Sequence, residues 1–223
     1  NDAPTLNALN NLTLAENAAQ QSLSLTGVGT GAANETQTLT VTATSSNPSL
    51  IPNPTVNYTS PNTSGSLIFT PVVNANGTAT ITVTVNDGQA INNTATRTFA
   101  VNVSAVNQRP TLAAISDVTI NEDASGQTVG LTGVGTGATN ESQTLSITAV
   151  SSNPSLIPNP SVSYSSPNAS GNLSFTPVAN ANGNATITVT VNDGQALNNT
   201  VSQSFLVTVI PVNDAPTLNV LGN

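Results

Sequence analysis

Five residue types are missing from this 223-residue chain: cysteine, histidine, lysine, methionine and tryptophan. Without histidine there is no ordinary general base near neutral pH, and without cysteine no thiol nucleophile. Zinc, haem and iron–sulfur centres lose their usual ligands for the same reason. The lack of Cys also excludes a disulfide scaffold, while leaving the compartment open. The lack of Lys excludes Lys–Asn isopeptide staples. Positive charge is scarce as well: Arg97 and Arg109 are the two basic residues, against ten acids and a formal net charge of −8. Nucleic acid and anionic membrane surfaces demand basic patches, so neither is an expected partner. Glycoside chemistry needs paired carboxylates beside a sugar platform. Here the acids are thinly spread and aromatics make up only 3% of residues. A catalytic site is therefore not expected. No apolar run approaches the length of a membrane span, and any targeting segment is expected outside this stretch, which opens at Asn1.

What the chain does have is self-similarity. Asn1-Asp2-Ala3-Pro4-Thr5-Leu6 returns as Asn107-Gln108-Arg109-Pro110-Thr111-Leu112 and again as Asn213-Asp214-Ala215-Pro216-Thr217-Leu218. Gly27 to Gly31 returns at Gly133 to Gly137, and Asn86 to Ala90 at Asn192 to Ala196, always 106 residues on. The organisation read from this is a first repeat over 1–106, a second over 107–212 and the opening strand of a third over 213–223.

Inside each repeat the apolar period is two. Thr80-Ile81-Thr82-Val83-Thr84-Val85, Gln37 through Ala43 and Thr98 through Val103 all set Thr or another polar residue against Val, Ile or Leu. This is the pattern of a half-buried strand, with β-branched Thr on the solvent side. Shorter candidates are 11–14, 22–26, 56–59 and 66–70. Seven strands in about 100 residues, separated by Gly, Pro and Asn clusters, predict an all-β chain of tandem Greek-key sandwiches without helices. The expected core is Leu12, Leu14, Leu23, Leu25, Leu39, Val41, Tyr58, Leu67, Phe69, Ile81, Val83, Val85, Phe99, Val101 and Val103, with equivalents 106 residues later.

The end of each repeat carries a family likeness. Val83-Thr84-Val85-Asn86-Asp87-Gly88, the strand through Val103 and then Asn107-Gln108-Arg109-Pro110 resemble the last two strands and linker of a cadherin domain. Val212-Asn213-Asp214-Ala215-Pro216 is closer still to the cadherin linker. The segments 37–48 and 65–71 look like the bacterial branch, the cadherin-like and Ig-like tandem repeats of large surface adhesins. The resemblance implies an extracellular structural repeat on a bacterial surface, a spacer or fibre built by stacking sandwiches end to end. Its implied partners are neighbouring repeats, with head-to-tail self-assembly through 213–223 as a further expectation.

Cadherin domains bind calcium at their junctions, so the same resemblance implies candidate ligands here. Glu16, Asn107, Glu141 and Asp193 form one candidate Ca²⁺ site, and Asp2, Glu35 and Asp87 half of another, since Ca²⁺ takes six to eight hard oxygens. The family's linker Asp is Gln108 in this chain, and Arg109 stands beside it. Arg109 pairing with Glu16 or Glu141 in place of an ion is the alternative.

Other features read more plainly. The Thr-x-Thr rows are the solvent side of strands rather than an ice-binding face. The sequons at Asn11, Asn62, Asn76 and Asn168 follow from an Asn- and Thr-rich composition. Gly27–Gly31 lacks the Lys and following helix of a phosphate loop and reads as a turn. Two alternatives to the spacer stay open: a carbohydrate- or protein-binding module using the loops near 60–65 and 87–93, and an accessory region of a large exported enzyme.

Overall fold

A computed structural model describes residues 1–216, and every regular element in that range is a β-strand. The chain divides into two compact units, Asn1–Val106 and a second beginning at Asn107.

In the first unit the strands are β1 (Leu12–Ala15), β2 (Gln21–Thr26), β3 (Thr40–Ser45), β4 (Thr55–Asn57), β5 (Ser64–Phe69), β6 (Gly77–Asn86) and β7 (Thr94–Ser104). They form a four-stranded sheet in the order β1-β7-β6-β3 and a three-stranded sheet in the order β2-β5-β4. All pairs are antiparallel except β1 with β7, which run parallel from Leu12↔Val101 to Ala15↔Ser104. This is the seven-stranded sandwich that the alternation predicts.

The period of two does its work in β6, whose Ala79, Ile81, Val83 and Val85 are wholly buried between the sheets. The residues between them point outward, and register aligns them with their neighbours. Thr42, Thr84 and Thr96 face one another across three strands, as do Thr44, Thr82 and Thr98. Opposite Ile81 lies Phe99, which is 2% exposed. Of the expected core, Leu25, Leu39, Leu67, Phe69, Ile81, Val83, Val85, Phe99, Val101 and Val103 are buried, while Leu12, Leu14, Leu23, Val41 and Tyr58 pack against them half-buried.

Five buried members of the core lie outside the strands. Leu6 comes from the N-terminal segment, Val28 from just after β2, Leu39 from just before β3, and Leu50 and Ile51 from the connection between β3 and β4. That connection folds back on Asn47, whose carbonyl accepts from Leu50 N at 3.1 Å and Ile51 N at 2.9 Å, so both apolar side chains turn inward.

The second unit repeats the plan with β8 (Val118–Asn121), β9 (Gln127–Thr132), β10 (Ser146–Ser151), β11 (Ser161–Ser163), β12 (Ser170–Phe175), β13 (Gly183–Asn192) and β14 (Thr200–Ile210). Its sheets are ordered β10-β13-β14-β8 and β11-β12-β9, with β8 and β14 the parallel pair. Its Phe205 occupies the place of Phe99.

Two expectations change in detail. The strand expected from Gln37 begins only at Thr40, because residues 37–39 turn toward the N-terminal segment. Of the strand expected over 213–223, residues 213–216 lie in no strand and the rest fall outside the described residues.

Candidate functional site

Each unit gathers its chemistry-bearing side chains at its two poles, where strands end and the chain enters or leaves. The strand directions decide this. The loop after β6 and the segment before β3 both lie at the pole where the chain enters, and Asp87 and Glu35 arrive there together.

In the first unit the hub of that pole is Asn1. Its Nδ2 donates to Asp87 Oδ2 at 3.0 Å and to the Ile91 carbonyl at 2.8 Å. Its Oδ1 accepts from Gln37 Nε2 at 2.9 Å, and its carbonyl accepts from Asn92 Nδ2 at 3.2 Å. The next residue, Asp2, donates its backbone N–H to Glu35 Oε1 at 2.8 Å. Asp87 is only 3% exposed, and its second oxygen accepts from Gln89 N at 2.9 Å. A buried carboxylate without such donors would be costly, so this arrangement is what allows Asp87 to stay inside. Gly31 shapes the same pole: at φ 102° it lies so close to the Ala3 carbonyl that a β-carbon there would collide with it.

The second unit builds the same network one repeat later. Asn107 Nδ2 reaches Asp193 Oδ2 and the Leu197 carbonyl, each at 2.9 Å, and Gln143 Nε2 reaches Asn107 Oδ1 at 2.9 Å. Asn198 Nδ2 donates to the Asn107 carbonyl at 3.1 Å, and Gln108 N to Glu141 Oε1 at 2.6 Å.

At the opposite pole a glutamate closes on the departing chain. Glu16, 5% exposed, takes Val106 N on Oε2 at 3.3 Å while its own N–H donates to the Ser104 carbonyl at 2.8 Å. In the second unit Glu122 takes Val212 N on Oε1 at 2.7 Å and Asn182 Nδ2 on Oε2 at 3.4 Å.

The candidate ligands are thus distributed as follows. Asn107, Glu141 and Asp193 come together in one unit; Glu35 and Asp87 come together in the other. Asp2 joins them through its backbone N–H rather than its carboxylate, and Glu16 belongs to the far pole of its own unit. Among the described residues no group of three or more His, Cys, Asp or Glu side chains is placed to hold a metal ion. The two halves of the pole differ in their fitness for a cation. Asp193 faces the donor end of the Asn107 amide, so a cation there would have to displace it. Glu141 Oε2 and Gln143 Oε1, by contrast, are buried oxygens with no hydrogen-bond partner, as are Glu35 Oε2 and Gln37 Oε1. Arg109 is exposed and, among the described residues, makes no ion pair with Glu141.

Sequence reasoning did not single out Gln37, Gln143, Asn1, Asn92, Asn198 or Glu122. Applying the 106-residue offset to Glu16 would have found Glu122. The amide residues carried no signal in so Asn-rich a chain.

The bacterial Ig domain family model matches twice, over residues 1–102 and 107–208. This chain belongs to that family. The matched stretches coincide with the two sandwiches. Among solved structures, S-layer protein SbsC domains 4 and 5 are 22% identical over 93% of this chain and 99% of theirs, at a TM-score of 0.35. The human desmocollin-1 ectodomain is 18% identical over 96% of this chain and 42% of its own, at 0.46. Protocadherin gammaB7 EC3-6 is 16% identical over 96% and 49%, at 0.49. All three TM-scores fall below 0.5, and the family assignment rests on the family model. No curated protein sequence matches the chain. Among the described residues no helix is long and apolar enough to cross a membrane.

Proposed function

We propose that these Ig repeats are a structural spacer of a bacterial protein exposed outside the cell, part of an adhesin stalk or fibre in which sandwiches follow one another along the chain. The observation that carries this reading is the placement of the polar networks. Val106 N is held by Glu16 of the first unit, and Asn107, the very next residue, is the hub of the second. Each sandwich therefore gathers its own chain ends into its body, with Glu16, Glu35, Asp87, Glu122, Glu141 and Asp193 each accepting from a backbone N–H or a side-chain amide. Repeats that each fold around their own core and follow one another in sequence are the construction of a tandem array, whose use is reach.

Single-molecule pulling on the whole chain tests it. Two unfolding events of similar force are expected, each releasing about 350 Å of chain, the extended length of some 106 residues. A single event, or extension without resistance, would remove the spacer reading. Surface exposure is tested separately, by antibody labelling of intact producing cells; labelling only after lysis would contradict it.

A second reading, a binding module, draws on Ile91 and Leu197, which are 72% and 76% exposed in the loops after β6 and β13. Glycan-array and pull-down binding abolished by Ile91→Ser with Leu197→Ser would favour it over the spacer.

A further inference from the structure

We propose that each sandwich offers the free edge of its four-stranded sheet to a second copy of the chain. The two copies pair strand to strand and antiparallel about a two-fold axis, which passes through Thr42 on β3 or through Thr148 on β10. This goes beyond the spacer reading and does not depend on it.

The case begins with the backbone groups that the edge leaves open. β3 is bonded to β6 on one side and ends the sheet on the other. Along an antiparallel strand, successive residues turn their N–H and C=O to opposite sides. Ser46 N, one step beyond the strand, donates to the Thr80 carbonyl at 2.9 Å. That fixes the phase: Thr40, Thr42 and Thr44 bond β6, while Leu39, Val41, Ala43 and Ser45 face outward. Side chains close the two outer donors, Leu39 N on Ser60 Oγ at 3.1 Å and Ser45 N on Asn53 Oδ1 at 2.8 Å. Between them, among the described residues, no loop or side chain bonds Val41 or Ala43 on that side. Their side chains are half-buried, while Val85 and Val83 opposite them on β6 are wholly buried, as an uncovered edge requires. β10 repeats the arrangement: Leu145 N is closed by Ser166 Oγ at 3.1 Å and Ser151 N by Asn159 Oδ1 at 2.9 Å, leaving Ile147 and Ala149 open.

The open stretch complements itself. With the axis through Thr42, Val41 meets Ala43 of the second copy, and Ala43 meets its Val41. Residues so paired exchange both of their N–H···O bonds, so two pairs make four bonds and use every open N–H and C=O of both strands. The ladder stops there, because Leu39 N and Ser45 N are already taken. An unrelated extended segment has no such two-fold match, which singles out the second copy as the occupant. The usual deterrents to edge pairing, a charged residue or a proline, are missing from Thr-Val-Thr-Ala-Thr-Ser and from Ser-Ile-Thr-Ala-Val-Ser. On β10 the exposed Val150 adds apolar surface to the edge. The other edges offer less: β1 and β4 have four and three residues, and Asn7 N occupies the Thr26 carbonyl at the end of β2. Each chain carries two such stretches, so a copy bound at one leaves the other open to a third.

Sedimentation of the whole chain over a concentration series tests the association, and the absence of native cysteine makes the register testable too. Monomer is expected at low concentration and larger species as it rises. Thr42→Lys with Thr148→Lys sets like charges against each other on the axis and should restore the monomer. Thr13→Lys with Thr119→Lys, on β1 and β8, should change nothing. In Thr42→Cys the two cysteines would face each other with Cα atoms about 4.5 Å apart, within reach of a disulfide, so air oxidation should join two copies. Thr44→Cys, which meets Thr40 of the second copy, should not be joined. A monomer at every concentration overturns the proposal, as does association that survives Thr42→Lys with Thr148→Lys, or Thr44→Cys joining as readily as Thr42→Cys. Should the lysine variant fail to fold, the two cysteine variants decide.

Discussion

At its C-terminal pole the second sandwich uses both oxygens of Glu122, one on Val212 N and one on Asn182 Nδ2. At its N-terminal pole Glu141 holds a backbone N–H equally well, at 2.6 Å, yet its other oxygen is buried with nothing bonded to it. The residue type and the backbone task are the same. What differs is the neighbour. Asn182 gives its NH₂ to Glu122, whereas the NH₂ of Gln143 is taken by Asn107 Oδ1. One carboxylate is completed by a nearby amide and the other is not, and the amide of Gln143 is committed to a relay that runs through Asn107 to Asp193.

Breaking the relay at its centre should cost the most. Asn107→Ala leaves Asp193 Oδ2 and Gln143 Nε2 without their partner, and we expect the second unit to lose about 3 kcal/mol. Urea denaturation followed by tyrosine fluorescence in a Tyr58→Phe background reads that unit alone, because Tyr164 is then the sole emitter. A loss under about 1 kcal/mol would show that water replaces the amide freely. Glu122→Ala removes a completed clamp and exposes two donors to water, for which about 2 kcal/mol is expected in the same assay; no change in midpoint would mean the C-terminal pole frays in solution. Glu141→Gln should cost under about 1 kcal/mol, because Gln108 N keeps an acceptor; a loss as large as that of Asn107→Ala would show that the carboxylate charge itself holds the pole together. The smallest effect is expected from Tyr58→Phe. Its hydroxyl is buried without a partner, so its removal should leave the first unit unchanged or up to about 1 kcal/mol more stable by differential scanning calorimetry. Marked destabilisation would reveal a hydrogen bond to ordered water.

The fold was legible because its core obeys a simple rule. Ile81, Val83 and Val85 sit at every second position between threonines, and that pattern admits only a strand with one buried face. The rule fails where burial comes from turns. Leu50 and Ile51 are adjacent in sequence and both buried, which no strand facing solvent on one side permits, and only the Asn47 turn explains it. The site was half legible for a different reason. Carboxylates are rare here and can be traced one by one, so Asp87, Glu35, Glu141 and Asp193 stood out. Gln37 begins an alternating run and looks like one more polar residue on a solvent face. Its actual role depends on a long-range bond to Asn1, and nothing local encodes that.

The parallel pairing of β1 with β7 has a mechanical meaning. These strands lie nearest the two ends of the first sandwich and are joined from Leu12↔Val101 to Ala15↔Ser104. Because they run in the same direction, drawing the ends of the unit apart slides one strand lengthwise against the other. The rungs of the ladder then share the strain simultaneously instead of opening in succession, as they would if an antiparallel hairpin were peeled from its turnless end. A seam of four residue pairs thus resists stretching along the chain far better than its length alone implies.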